Sequence, residues 1–276
     1  DFHSAYNNIK KTNKIEDLIN DKNIDIVSIA TPDHTHAKYT IMALESGKNV
    51  LCEKPMCTSL DDAKDIISIT EKSDKKFSVF QQMRFTPKNK KTKQLIEKNK
   101  LGEIFYIKTG YIHDMRDRAF EFSEWRKDPV LYQHPIYGGQ HNIDLLRWLA
   151  GEVKEVRTIA THKGFKDYPT DDTFIMQMKL TNGGVGDVIT SYAPIVPREF
   201  HLLSIYGTKG TVHDENVFID RKPFVKQIVL NDSEYKGVPQ FRKQISTFID
   251  CVINNDNKGL VTAQDGAKTV SVIEAC

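Results

Sequence analysis

The chain has 276 residues, 39% apolar and 28% charged, an ordinary composition for a globular protein with a sizeable core. Thirty-nine Lys and Arg against 37 Asp and Glu leave a net charge of +2, too small an excess for a nucleic-acid footprint. No apolar run approaches the roughly 20 residues of a membrane-spanning helix, which argues against a membrane protein.

The start of the chain, Asp1 to Thr12, is polar and does not read as a secretion signal. Cysteines at 52, 57, 251 and 276 fit neither a zinc spacing nor a disulfide framework, so a reducing cytoplasm is the expected compartment. The first residue is Asp1 rather than Met, and Cys276 falls inside an apolar helical pattern, so a fragment at both ends is expected.

Ile24 to Thr31 is a short, nearly continuous apolar run and predicts a buried parallel strand. Thr31-Pro32-Asp33 predicts a turn, with Asp33 placed to cap a helix that reaches about Gly47 and turns Ala37, Ile41 and Leu44 inward. Asn49 to Cys52 is a second strand. Ser59 caps the next helix, whose inner stripe is Ala63, Ile66, Ile67 and Thr70, and Phe77 to Phe80 is a third strand. Short strands alternating with helices mean βαβ units and a parallel sheet. The Lys-rich stretch Lys88–Lys100 reads as the solvated face of a helix.

Past about Gly102 the pattern changes. Ile104 to Ile112 predicts a long strand and His141 to Leu149 a helix. Strands then dominate: Val153–His162, Thr173–Leu180, Val185–Tyr192, His201–Tyr206 and Thr211–His213, with a hairpin turn at Asn182-Gly183-Gly184. Phe241, Ile245, Phe248, Ile249 and Val252 mark a late helix. The expected fold is α/β: a partial Rossmann domain with a parallel sheet over residues 1–100, then an α+β domain with an open, mainly antiparallel sheet over 101–276, whose late helices can pack back on the first.

Cys52-Glu53-Lys54-Pro55 directly follows a strand, where open α/β sheets bind ligands, and a lysine there can hold its ammonium in a crevice. In Gly138-Gly139-Gln140-His141-Asn142-Ile143-Asp144, two glycines open a helix and allow close backbone approach to a ligand. His141 and Asp144 share a helix face, so the carboxylate can fix the imidazole tautomer, or the histidine can simply cap the helix. His34 and His36 diverge at two residues apart, which disfavours a metal; a helix start there suits cofactor phosphate or ribose. Arg84 in Gln82-Met83-Arg84-Phe85 reads as a loop residue, and Trp125-Arg126 as a pair that can stack on a flat ring or cover a core edge.

Ala30 to His36, Gly47 to Pro55, Gln82 to Phe85, Trp125-Arg126 and Gly139 to Asp144, in that order, resemble the Gfo/Idh/MocA family of NAD(P)-dependent oxidoreductases over nearly the whole chain. The resemblance implies a Rossmann domain joined to a substrate and oligomerisation domain, NAD or NADP as cofactor, a sugar, inositol or related polyol as substrate, and a homodimer or homotetramer. It makes Lys54 and His141 the catalytic pair, with His141 the proton acceptor and Asp144 in support. It places Ala30, Thr31, Pro32, His36, Glu53, Lys54 and Gln82 on the cofactor side, and Arg84, Trp125 and Arg126 near the cofactor or the mouth of the substrate site.

Two departures stand out. Many members carry Asp four residues before the histidine, where this chain has Tyr137, a phenol able to relay a proton but not to supply a fixed charge at neutral pH. The family's Gly-x-Gly-x-x-Gly turn is expected upstream of Asp1, and without that unit the chain should be poorly stable. In the second half Tyr111, His113, Asp114, Arg116, Asp117 and Arg118 cluster after one strand, with Lys163 and Asp172 beside others, groups suited to a polyhydroxylated ligand. The leading expectation is reversible hydride transfer between nicotinamide and a secondary alcohol. The alternatives are an NAD-using glycosidase or lyase of the same family, and a non-catalytic cofactor-binding or oligomeric protein.

Overall fold

The structure is a computed structural model that describes residues 9–116, 128, 135–197, 199–220, 226–230 and 239–276. Helix α1 (Ile15–Ile19) precedes β1 (Ile26–Ile29), which is shorter than the apolar run because only four residues pair with a neighbour. After β1 the chain makes a 3-10 turn at Asp33–Thr35, and α2 (His36–Glu45) starts behind Thr35 rather than behind Asp33. Strand β2 (Asn49–Cys52) leads to α3 (Leu60–Lys72), where Ser59 Oγ accepts from the Asp62 amide at 3.1 Å as an N-cap. Then come β3 (Phe77–Val79), a 3-10 turn at Gln82–Phe85 and α4 (Pro87–Glu97).

The three strands form a parallel sheet in the order β1-β2-β3, with Val27 opposite Val50 and Leu51 opposite Ser78. Ile29, Val50, Val79, Leu44, Ala63 and Ile66 build the core around it. Three members of that core, Val261, Ala263 and Val270, come from the far end of the chain.

The second half contains β4 (Ile104–Ile112), α5 (Pro135–Gly138), α6 (Gln140–Ala150), β5 (Val153–Thr161), β6 (Thr173–Leu180), β7 (Val185–Ser191), β8 (Phe200–Gly207), β9 (Gly210–His213), β10 (Asn216–Ile219) and β11 (Lys226–Val229). Its eight strands run in the order β11-β10-β9-β8-β4-β7-β6-β5. All pairs are antiparallel except β4 with β7, which is parallel. The carboxyl ends of β4 and β7 and the start of β8 therefore lie at one edge of the sheet. Helix α6 covers one face, burying Ile143, Leu145 and Leu146 with Phe174, Met176 and Val188. On the opposite face Ile159 and Ile175 pair across β5 and β6 and stand 55% and 42% exposed.

Helices α7 (Pro239–Ile253) and α8 (Ala263–Glu274) return to the parallel sheet. The Val79 amide donates to Val261 O at 2.9 Å, and the Leu60 amide donates to Glu274 at 2.7 Å. Among the described residues no helix is long and apolar enough to cross a membrane.

Candidate active site

Parallel strands present their carboxyl ends on the same side, and there the site begins. The Glu53 amide donates to Ile29 O at 2.8 Å, so β2 stays tied to β1 up to the lysine. His36, 1% exposed, sets one ring nitrogen 2.6 Å from Pro55 O and the other 2.9 Å from Thr31 O. It stitches the two strand-end turns together and has neither nitrogen left for a cofactor phosphate or ribose. The Lys54 amide donates to Glu53 Oε2 at 3.1 Å, and burial raises the Glu53 carboxyl above the usual carboxylate range. The Lys54 ammonium makes no hydrogen bond among the described residues, and its charge acts on both His141 and His201.

His141 is the second residue of α6 and is 6% exposed. Its Nε2 lies 3.0 Å from the side-chain amide nitrogen of Gln82. Burial, then the charge of Lys54, then His201 hold its pKa well below the usual imidazole value, so the ring is neutral at pH 7. His141 Nδ1 and Gln82 Oε1 are buried without a hydrogen-bond partner. Unsatisfied polar atoms beside a free ammonium at strand carboxyl ends fit a polar ligand such as a carboxamide or a hydroxyl.

Asp144 does not orient the histidine. Fully buried, it takes a bidentate ion pair from Arg84, with Nε to Oδ2 at 2.8 Å and Nη2 to Oδ1 at 2.6 Å. Arg84 completes its set with Asp265 at 2.6 Å and is itself buried, so it clamps α6 and α8 to the parallel half instead of lining the mouth of a substrate site. Asp265 also receives Arg147 Nη2 at 2.9 Å. Tyr137 donates to Thr58 O at 3.3 Å, and burial pushes its phenol up to about 12, so it is protonated at neutral pH. Gly138 serves packing: a Cβ there would lie 1.7 Å from the Tyr192 hydroxyl.

At the facing edge of the large sheet, Tyr111 Oη lies 2.7 Å from His113 Nδ1 and donates to Glu199 Oε2 at 3.0 Å. His201, opposite Tyr111 in the β4–β8 register, places Nδ1 2.9 Å from Asn142 Oδ1. Sequence reading missed His201, because one polar residue at a strand start carries no local signal. Asp172 accepts the Gly164 and Phe165 amides, both at 2.8 Å, and braces a loop. Asp114 and Arg116 pair with each other. Trp125, Arg126, Asp117 and Arg118 lie outside the described residues. Among the described residues no three His, Cys, Asp or Glu side chains are grouped to hold a metal.

Residues 93–276 match the family model described as the oxidoreductase family C-terminal alpha/beta domain, and residues 2–81 match its NAD-binding Rossmann fold. The chain belongs to the Gfo/Idh/MocA oxidoreductases. Levoglucosan dehydrogenase of Pseudarthrobacter phenanthrenivorans is 26% identical over 219 residues, covering 71% of this chain and 56% of that protein. 2,7-Anhydro-N-acetylneuraminate hydratase of Escherichia coli is 26% identical over 202 residues, covering 72% and 53%. The chain thus spans little more than half the length of these two Gfo/Idh/MocA relatives. A solved levoglucosan dehydrogenase in complex with NADH and levoglucosan shares the fold at a TM-score of 0.85 and 20% identity, over 99% of this chain and 83% of the other. A Thermotoga maritima oxidoreductase does so at 0.84 and 22%, over 100% and 82%.

Proposed function

We propose that the protein is a dehydrogenase that transfers hydride between NAD or NADP and a secondary alcohol of a sugar, inositol or related polyol. The observation that carries this reading is the pairing of an unbonded Lys54 ammonium with a neutral, buried His141 at the carboxyl ends of parallel strands. A dinucleotide bound there supplies the hydride acceptor. Ala30, Thr31, Pro32, Glu53, Lys54 and Gln82 sit on the strand-end turns that would hold its nicotinamide side. The Gln82 amide donates to His141 Nε2, which therefore carries the ring's lone pair; a substrate hydroxyl that replaces this amide gives its proton to Nε2 as general base, and Lys54 steadies the negative charge that develops on the oxygen. Its levoglucosan dehydrogenase relative supports a sugar as substrate.

The hydratase relative favours a second reading, in which bound dinucleotide is used without net reduction. Accumulation of NADH or NADPH from a free polyol supports the dehydrogenase; product without net reduction supports the second reading. Lys54→Met is expected to lower turnover about 10²–10⁴-fold while dinucleotide affinity is retained. A loss below tenfold overturns the role of Lys54. We place the protein in the cytoplasm and assign the open face of the large sheet, with its exposed Ile159 and Ile175, to a second copy of the chain.

A further inference from the structure

The strongest unassigned group is the second imidazole. Asn142 directly follows His141 in α6, so both are carried by one helical turn. Its amide nitrogen donates to Gly110 O at 2.9 Å, which turns Oδ1 toward His201 Nδ1, also at 2.9 Å. An amide oxygen only accepts, so His201 Nδ1 carries the ring proton. In a neutral ring Nε2 is then an acceptor, and among the described residues it takes no hydrogen bond. The Tyr111 ring lies against the imidazole with centroids 5.1 Å apart and holds its plane. Burial is the main cause that lowers the His201 pKa to about 4; Glu199 opposes it, and the charges of Lys88, Lys54 and His113 add to the lowering.

The site therefore holds two neutral imidazoles on which the single Lys54 charge acts. His141 serves the reacting hydroxyl in the dehydrogenase reading above, on which this inference rests. The other ring needs a donor of its own. We propose that His201 is a substrate-binding, specificity-determining residue whose Nε2 accepts a hydrogen bond from the hydroxyl adjacent to the reacting one, so that the enzyme selects a vicinal diol. A keto or ether oxygen at that position would face an acceptor with another acceptor, and a deoxy carbon would leave Nε2 unpaired.

The test is steady-state dinucleotide reduction with levoglucosan, D-glucose and myo-inositol, each compared with analogues lacking one hydroxyl. Wild type, His201→Phe and His201→Gln are measured, with dinucleotide affinity by fluorescence titration. For the turned-over polyol, His201→Phe should raise KM about tenfold or more, and should leave KM for the analogue lacking the neighbouring hydroxyl within about twofold of wild type. His201→Gln, which keeps an acceptor oxygen, should recover most of the loss, and dinucleotide affinity should not move. Equal effects of His201→Phe on polyol and analogue, or none, overturn the role of His201 and leave the dehydrogenase standing. A wild-type protein that reduces no dinucleotide with any polyol overturns the dehydrogenase reading and this inference together.

Discussion

His36 shows how much of the site is held by residues that need not touch a ligand. Its two nitrogens face carbonyls on two turns, 2.6 and 2.9 Å away, with the lysine beside one of them. His36→Leu removes the partner of the buried Pro55 carbonyl and of the more exposed Thr31 carbonyl, so a urea melt should lose about 1–3 kcal/mol. Because the Lys54 turn is then loose, kcat should fall more than dinucleotide affinity. His141, Lys54 and Gln82 of the candidate site could be picked out because each follows a recognisable strand end or opens a helix. The partner of Asp144 was not. Helical spacing offered it His141 three residues away, but a guanidinium 60 positions upstream forms two charge-assisted bonds and wins. Only the packed fold brings that residue within reach.

At the scale of elements, α6 carries His141 and Asn142 and is anchored through Asp144 to Arg84 and, through Arg147, to Asp265 of α8. Arg84→Met strands a fully buried carboxylate, and chemical denaturation should register a loss of about 3–5 kcal/mol. If the mutant still folds, kcat should drop too, since His141, the proposed general base, rides on the released helix. The strands and the Asn182-Gly183-Gly184 hairpin were legible from alternation and turn chemistry, with Leu180 and Gly184 bonded at 2.8 Å as a hairpin requires. Strand β10 and the edge strand β11 were not anticipated. Nor was the parallel pairing of β4 with β7, since register between distant strands leaves no local pattern.

For the whole molecule, the buried imidazoles set an acid limit. His141 and His201 have folded pKa values below their unfolded ones, His201 at about 4. The unfolded chain therefore binds protons below about pH 6.5 that the native state refuses, and stability falls as pH drops from there toward about 4. Asp265, held below the usual carboxylate range by Arg84 and Arg147 against its burial, adds a loss at still lower pH. Melting temperatures across pH 4–8 should show this slope, and His201→Gln should flatten it. If the open sheet face seats a second copy, as proposed, the wild type should scatter light as an oligomer and Ile159→Lys with Ile175→Lys, which puts two charges on that face, as a monomer; an unchanged mass would exclude that face. The two-sheet architecture was legible because the apolar pattern changes after Gly102, and late helices packing back on the first domain were expected too, whereas which residues of α8 enter that core depends on contacts that periodicity cannot convey. The position of β4 also dictates an order of events during synthesis. Both its neighbours, β7 and β8, emerge roughly 70 residues or more after it, so at ~5–20 residues per second the central strand waits several seconds for any partner. During that wait α6, which emerges about 30 residues after β4, can cover its apolar face, but both hydrogen-bonding edges stay open to chaperones or to another nascent chain.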